Sequence, residues 1–205
     1  MSGPADFPAL ATPRLRLREL QPADAPALLR IHGNAAHMRW FGSEPMRTLA
    51  EAEAVIELFA GWRRLPAPGT RWGLERRDDG TLIGTAGLFA WHRGWRKCTL
   101  GYELAPEATG QGLMGEALAA VIDWGLQHMQ LHRIEAQVHP DNRPSLALLE
   151  RLDFAREGLL REVAWWGGRP HDLEMWSLLA PGWGSSQGGA GGRPVQGIST
   201  DPAPR

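Results

Sequence analysis

The stretch ELAPEATGQGLMGEALAAVIDWG, residues 103–125, sets Gly110, Gly112 and Gly115 in the order G-x-G-x-x-G. Taken alone, that order is the fingerprint of a dinucleotide-binding turn. Its surroundings say otherwise. In the dinucleotide fold the first glycine closes the first strand and opens a βαβ unit. Here the preceding strand ends near Leu104, the residues APEAT intervene, and more than a hundred residues come before the motif. Glu135 falls 20 residues after Gly115, at the range of a ribose-binding acid, but too little chain follows to supply further βα units. The physics of the turn survives. Closely spaced glycines let backbone N–H groups approach a phosphate with no side chain in the way. A helix starting at about Leu113 aims its unpaired N–H groups and positive dipole end at the same spot. The stretch therefore reads as strand, pyrophosphate turn and helix.

Working outward, Met114, Ala117, Leu118, Val121, Ile122 and Gly125 fall at helical spacing and predict a buried stripe. Upstream, RLRLREL (14–20) alternates as a half-buried strand, PADAPALLRIH (22–32) reads as a helix, and Thr48 with Glu51 caps another over 48–63. RWGLERR, TLIGTAGLFAW and RKCTLGYEL, joined by glycine-bearing turns, form an antiparallel meander. Downstream come the strand HRIEAQV, the helix RPSLALLERL and a strand pair turning at Gly167 and Gly168. The order β-α-α-β-β-β-α-β-α-β-β predicts an α/β domain: a mixed sheet with helices on both faces. We place this domain at 13–181. Residues 1–12 are expected to be flexible, and 182–205, with seven glycines, three prolines and little to bury, to be a disordered tail.

Twenty-two basic against 23 acidic residues, net charge -1, argue against a nucleic-acid surface. No apolar run reaches the ~18 residues of a membrane span, and the N-terminus lacks a signal pattern. The single cysteine, Cys98, excludes an intrachain disulfide. A cytoplasmic protein without membrane or nucleic-acid partners is the expectation. His128 and His132 lie four apart with no third ligand evident, so no metal is expected.

LGYELAPEATGQGLMGEAL followed by LHRIEAQVHPDNRPSLALLERLDFAREGLLREVAWWGGRPHDLEMWSLL resembles the GNAT superfamily of acyl-coenzyme A-dependent N-acetyltransferases. More narrowly, it resembles the branch with the ribosomal-protein alanine N-acetyltransferases, over about residues 13–180. The resemblance implies that LGYEL bulges and splays from the parallel strand RIEAQV, opening a cleft for pantetheine. Backbone groups around Glu103, Leu104 and Ala105 would pair with the pantetheine amides as an added strand does. Amides of Gly110, Gln111, Gly112, Leu113, Met114 and Gly115 would hold the pyrophosphate. Asn142 would contact the pantetheine arm, and Ser145 would sit near the sulfur. Four departures stand out: Thr109 replaces the family's Arg or Gln, Met114 its Gly or Ala, and Asp153 the Gly of L-G-F. Leu149 replaces the tyrosine that reprotonates the thiolate, and the chain's one tyrosine is Tyr102.

The implied activity is acetyl transfer from acetyl-CoA directly to an amine, which needs a proton acceptor, carbonyl polarisation and thiolate stabilisation. Glu103 is the leading base, acting through a water, or else a paired strand carboxylate; Glu162 and Asp172 follow. The branch's own glutamate is matched by Ala164. Ser145 is the leading acid, or else a helix-start hydroxyl. Trp40 and Phe41, with Met38 and Met46 nearby, lie in the loop where the family admits the acceptor, and Trp91 could line its other wall. His139 and His171 are pocket or structural residues, and Cys98 is a small buried hydrophobe. The acceptor is a protein N-terminal amine or a small-molecule amine. A homodimer is possible through an aromatic face. Two readings stand beside this one: a non-catalytic acyl-CoA sensor of the same fold, and a transferase of longer acyl groups.

Overall fold

The computed structural model describes residues 7–64 and 68–184. Eight strands form one sheet in the order β1-β2-β3-β4-β5-β6-β8-β7. In chain order they are β1 Leu10–Ala11, β2 Leu15–Arg18, β3 Thr70–Arg76, β4 Leu82–His92, β5 Lys97–Leu104, β6 Arg133–Val138, β7 Ala155–Trp166 and β8 Arg169–Leu179. The helices are α1 Ala25–His32, α2 Ala35–Met38, α3 Leu49–Trp62, α4 Leu113–His128 and α5 Arg143–Arg151. Every strand pair is antiparallel except β5 with β6. The expected mixed sheet and helix order hold, with β1 and α2 as additions.

Adjacent residues of a strand point to opposite faces, and that alternation sorts the helices. On β3, Trp72 packs edge-on against Trp124 of α4 while the Arg71 guanidinium lies over Phe59 of α3. On β5, Tyr102 reaches Ser145 of α5 while Glu103 reaches His32 of α1. So α1 and α3 cover one face, and α4 with α5 the other. The α4 stripe is buried as its spacing requires: Leu113, Met114, Ala117, Leu118, Val121, Ile122 and Gly125. Thr48 caps α3 by accepting from Glu51 N–H, and the Glu51 carboxylate reaches back to Arg47 N–H. The β7–β8 turn uses Gly167 and Gly168 at φ 58° and 73°, the left-handed pair a two-residue hairpin demands.

Contacts at the two ends, and one irregularity within the sheet, differ from the sequence reading. Residues 10–11, placed in the N-terminal segment before the domain, pair with β2, and Pro8 O accepts from the Trp72 indole at 2.6 Å. At the other end Trp183 Nε1 donates to Asp123 of α4 at 2.6 Å, so the domain runs past 181; most of the expected tail, from 185 on, lies outside the described residues. The third concerns LGYEL, which pairs with β4 without a bulge from Thr99 to Leu104. The irregularity lies instead at Phe89–His92, where Ala90 takes φ 52°. Among the described residues no helix is long and apolar enough to cross a membrane.

Candidate active site

Only Lys97↔Arg133, Cys98↔Ile134 and Thr99↔Glu135 join β5 to β6. Past Thr99, β5 continues paired to β4 alone, while Ala136–Val138 of β6 continues paired to β8 alone. The facing backbone edges of Leu100–Leu104 and Ala136–Val138 therefore diverge into a cleft. Leu104 and Ala105 lie at its wide end, just before the glycine turn.

That turn leaves backbone donors uncapped. Gly110 and Gly112 both take φ 74°, a left-handed conformation that glycine adopts without a Cβ penalty. A Cβ on Gly110 would meet nothing within 4 Å. Gly112 is the N-cap of α4 and offers no side-chain cap, so the first-turn N–H groups of Leu113, Met114 and Gly115 remain available. Arg14 braces the turn by donating to Gln111 O at 2.9 Å and to Glu116 at 2.7 Å. The Met114 side chain is buried in the core, so this departure leaves the backbone donors clear.

Around the cleft the foreseen residues take these places. Asn142 caps α5, its Oδ1 accepting from Ser145 N–H at 3.3 Å. Ser145 Oγ lies 2.6 Å from Tyr102 Oη. Leu149, where the family's tyrosine would stand, is wholly in the core, and Asp153 takes the left-handed conformation expected of it, φ 61°. Trp40 stacks on His139 at 4.2 Å, and Phe41 meets His32 edge-on at 4.9 Å. The β7–β8 hairpin folds over this loop: Trp166 Nε1 donates to Arg39 O, Gly167 N–H to Glu44, and Trp166 stacks on His171 at 3.6 Å. Trp91 is not brought to them. It lies on β4 near the His92↔Lys97 pair, at the closed end of the β5–β6 seam, with Arg93 over its ring.

Glu103 does not sit on an open cleft wall. Its Oε1 accepts from His32 Nε2 at 3.0 Å and from the Thr85 hydroxyl at 2.5 Å, and its Oε2 pairs with Arg71. Burial pushes its pKa up, but the Arg71 charge, His32 and Thr85 outweigh burial and hold it below the usual carboxylate range. A carboxylate so engaged is a poor proton acceptor, and its pairing matches the other reading given for Glu103, a paired strand carboxylate. Arg71, Thr85 and His32 escaped the sequence reading. Their signal was present: Arg71 lies across from Gly87, and Gly87 from Gly101. A Cβ on Gly87 would come within 2.8 Å of Arg71 Cδ, and one on Gly101 within 3.2 Å of its Nη1. Two glycines inside strands thus make the channel for one guanidinium.

Glu162 and Asp172 meet at a β7 bulge, where Glu162 takes φ 50° and donates its N–H to Asp172 at 2.8 Å. They line an open pocket of 340 Å³ with His139, His171 and Arg169. His139 Nδ1 accepts from Asp141 N–H, and burial, the largest influence, lowers its pKa. Cys98 is buried, and that burial raises its thiol pKa. Among the described residues no group of three or more His, Cys, Asp or Glu is placed to hold a metal ion.

Residues 14–155 match the acetyltransferase (GNAT) domain family. The chain belongs to that family. This acetyltransferase is 37% identical over 175 residues to the Bacillus subtilis protein called uncharacterized N-acetyltransferase YoaA, covering 85% of this chain and 98% of that one. It is 35% identical over 113 residues to the Escherichia coli [ribosomal protein uS5]-alanine N-acetyltransferase, 55% of this chain and 58% of the other. Among solved structures it resembles the Vibrio cholerae spermidine N-acetyltransferase in complex with CoA and spermine. That likeness has a TM-score of 0.71 and 25% identity, over 82% of this chain and 96% of that one.

Proposed function

We propose that this acetyltransferase moves the acetyl group of acetyl-CoA directly onto a primary amine, with a protein N-terminal α-amine as acceptor. One observation carries the reading: the β5–β6 ladder ends at Thr99↔Glu135 and leads into a glycine turn with free amides. The open edge of β5 leading up to Leu104 pairs with the pantetheine amides, and the turn from Gly110 to Gly115 takes the pyrophosphate. Ala105, expected to share in that pairing, does not, because its N–H donates to Ile83 O and its O accepts from Ala108 N–H. Asn142, with its Oδ1 occupied, offers its amide N–H₂ to the arm. The Trp40–His139 and Trp166–His171 stacks frame the acceptor mouth. Similarity to the uS5-alanine enzyme supports an α-amine, while the spermine-bound neighbour makes polyamines the control acceptors.

In the reaction the free amine attacks the thioester carbonyl, and Ser145 donates a hydrogen bond to the departing sulfur. The ammonium proton leaves to solvent, so the rate follows the acceptor's own ionisation, near pH 8 for an α-amine by the ordinary value of about 7.7–8.0. The test is thiol release from acetyl-CoA with alanine- and serine-starting peptides, spermidine and free amino acids. Release with peptides alone is expected. Binding of CoA with no release for any amine overturns the reading in favour of a sensor.

A further inference from the structure

Tyr102 belongs to the splayed part of β5 and Ser145 to the first turn of α5, and their hydroxyls lie 2.6 Å apart. Capping does not occupy the serine oxygen, because Asn142 serves that role through its own side chain. Among the described residues Tyr102 is the one hydrogen-bond partner of Ser145 Oγ. Either hydroxyl can donate across this distance; the phenol, as the more acidic of the two, is assigned as the donor to Ser145 Oγ. Burial pushes the phenol up to about 12, against the pull of the Ser145 bond and the Arg151 charge, so it stays protonated. With its oxygen engaged by Tyr102, the serine proton must point elsewhere.

We propose that Tyr102 is a positioning residue of acetyl transfer: by donating to Ser145 Oγ it turns the serine proton toward the coenzyme sulfur. The inference rests on the acetyl-CoA reading of the cleft. In the transfer the N–C bond forms, the C–S bond breaks, and the electron pair stays on sulfur. A thiol of ordinary pKa about 8.5 yields a thiolate far less basic than a serine alkoxide or phenolate. Neither hydroxyl therefore surrenders its proton. The pair holds the thiolate by a hydrogen bond and is unchanged after turnover, so the half-buried phenol needs no path for reprotonation.

The test compares Tyr102→Phe, Ser145→Ala and the double variant by kcat, KM for acetyl-CoA, and the thiol pKa of bound CoA from NMR of its S-methylene. Tyr102→Phe should lower kcat roughly tenfold, less than the hundredfold or more of losing a direct donor. KM should stay within about twofold, the bound thiol pKa should rise by about one unit, and the double variant should match Ser145→Ala. An unchanged kcat and thiol pKa in Tyr102→Phe, or losses that add in the double variant, overturn the proposal. Tyr102 is the sole tyrosine, so fluorotyrosines enter only there and keep the hydroxyl even if phenylalanine unsettles the fold. Turnover should track their phenol acidity, and a flat series sinks the idea. The thiol pKa separates this proposal from the broader one. If no amine is acetylated while that shift persists, the transferase reading fails and with it the role of Tyr102 in turnover, leaving only its orientation of Ser145 toward the bound sulfur; if CoA does not bind, both fail outright.

Discussion

At the scale of single residues, the Arg71–Glu103 pair has the largest consequence. Both side chains are buried, and removing one charge leaves the other without compensation. Glu103→Gln should cost about 3–5 kcal/mol in urea unfolding at pH 7, the usual cost of breaking a buried pair. The sign of its pH dependence follows from the depressed carboxyl. Its contribution is complete above the unfolded value of 4.5 and is lost as pH falls through the lower folded value. Wild type should therefore lose stability below about pH 4.5 more steeply than Glu103→Gln, measured by unfolding at a series of pH values. The variant should leave the pH–rate limb where the acceptor amine sets it; a displaced limb would restore Glu103 as the base. Spacing alone did not reveal this pair. Arg71 and Glu103 are 32 positions apart, and they meet because the β3–β4–β5 register lays two glycines beneath one guanidinium.

Elements were more legible than pairs, because period and turn chemistry act locally. The α4 stripe, the Thr48 cap and the Gly167–Gly168 hairpin are each written in a few neighbouring residues, and each formed as read. Where distant strands had to agree, as at the bulge expected in β5 but formed in β4 and β7, local pattern carried no signal. Two substitutions probe elements directly. Gly87→Ala sets a Cβ 2.6 Å from Thr70 O and should destabilise by about 1–3 kcal/mol through overpacking, seen in the denaturation midpoint. At the phosphate turn, Gly112→Asn and Gly112→Asp share the strain of φ 74° but differ in charge. The aspartate should bind acetyl-CoA roughly a hundredfold more weakly than the asparagine in calorimetry, the scale of one close like-charge contact. Equal affinities would remove the pyrophosphate from this turn.

On the scale of the whole molecule, binding and folding are linked. At a concentration of about 100 Kd, a ligand specific for the native state adds about 2.7 kcal/mol, or roughly 5–10 °C in Tm for a chain of this size. Acetyl-CoA should give that shift in a thermal scan and NADH none; a shift with NADH would reopen the dinucleotide reading. The three-rung seam between β5 and β6 has a further, kinetic meaning. Those amides of Leu100–Leu104 and Ala136–Val138 that point away from β4 and β8 should exchange with deuterium quickly in the free chain and slowly once pantetheine lies between the open edges. Each turnover would then zip a strand into the sheet and peel it out again. Release of CoA becomes a peeling rate, and coenzyme fragments with a shortened pantetheine arm, having fewer rungs to break, should leave faster.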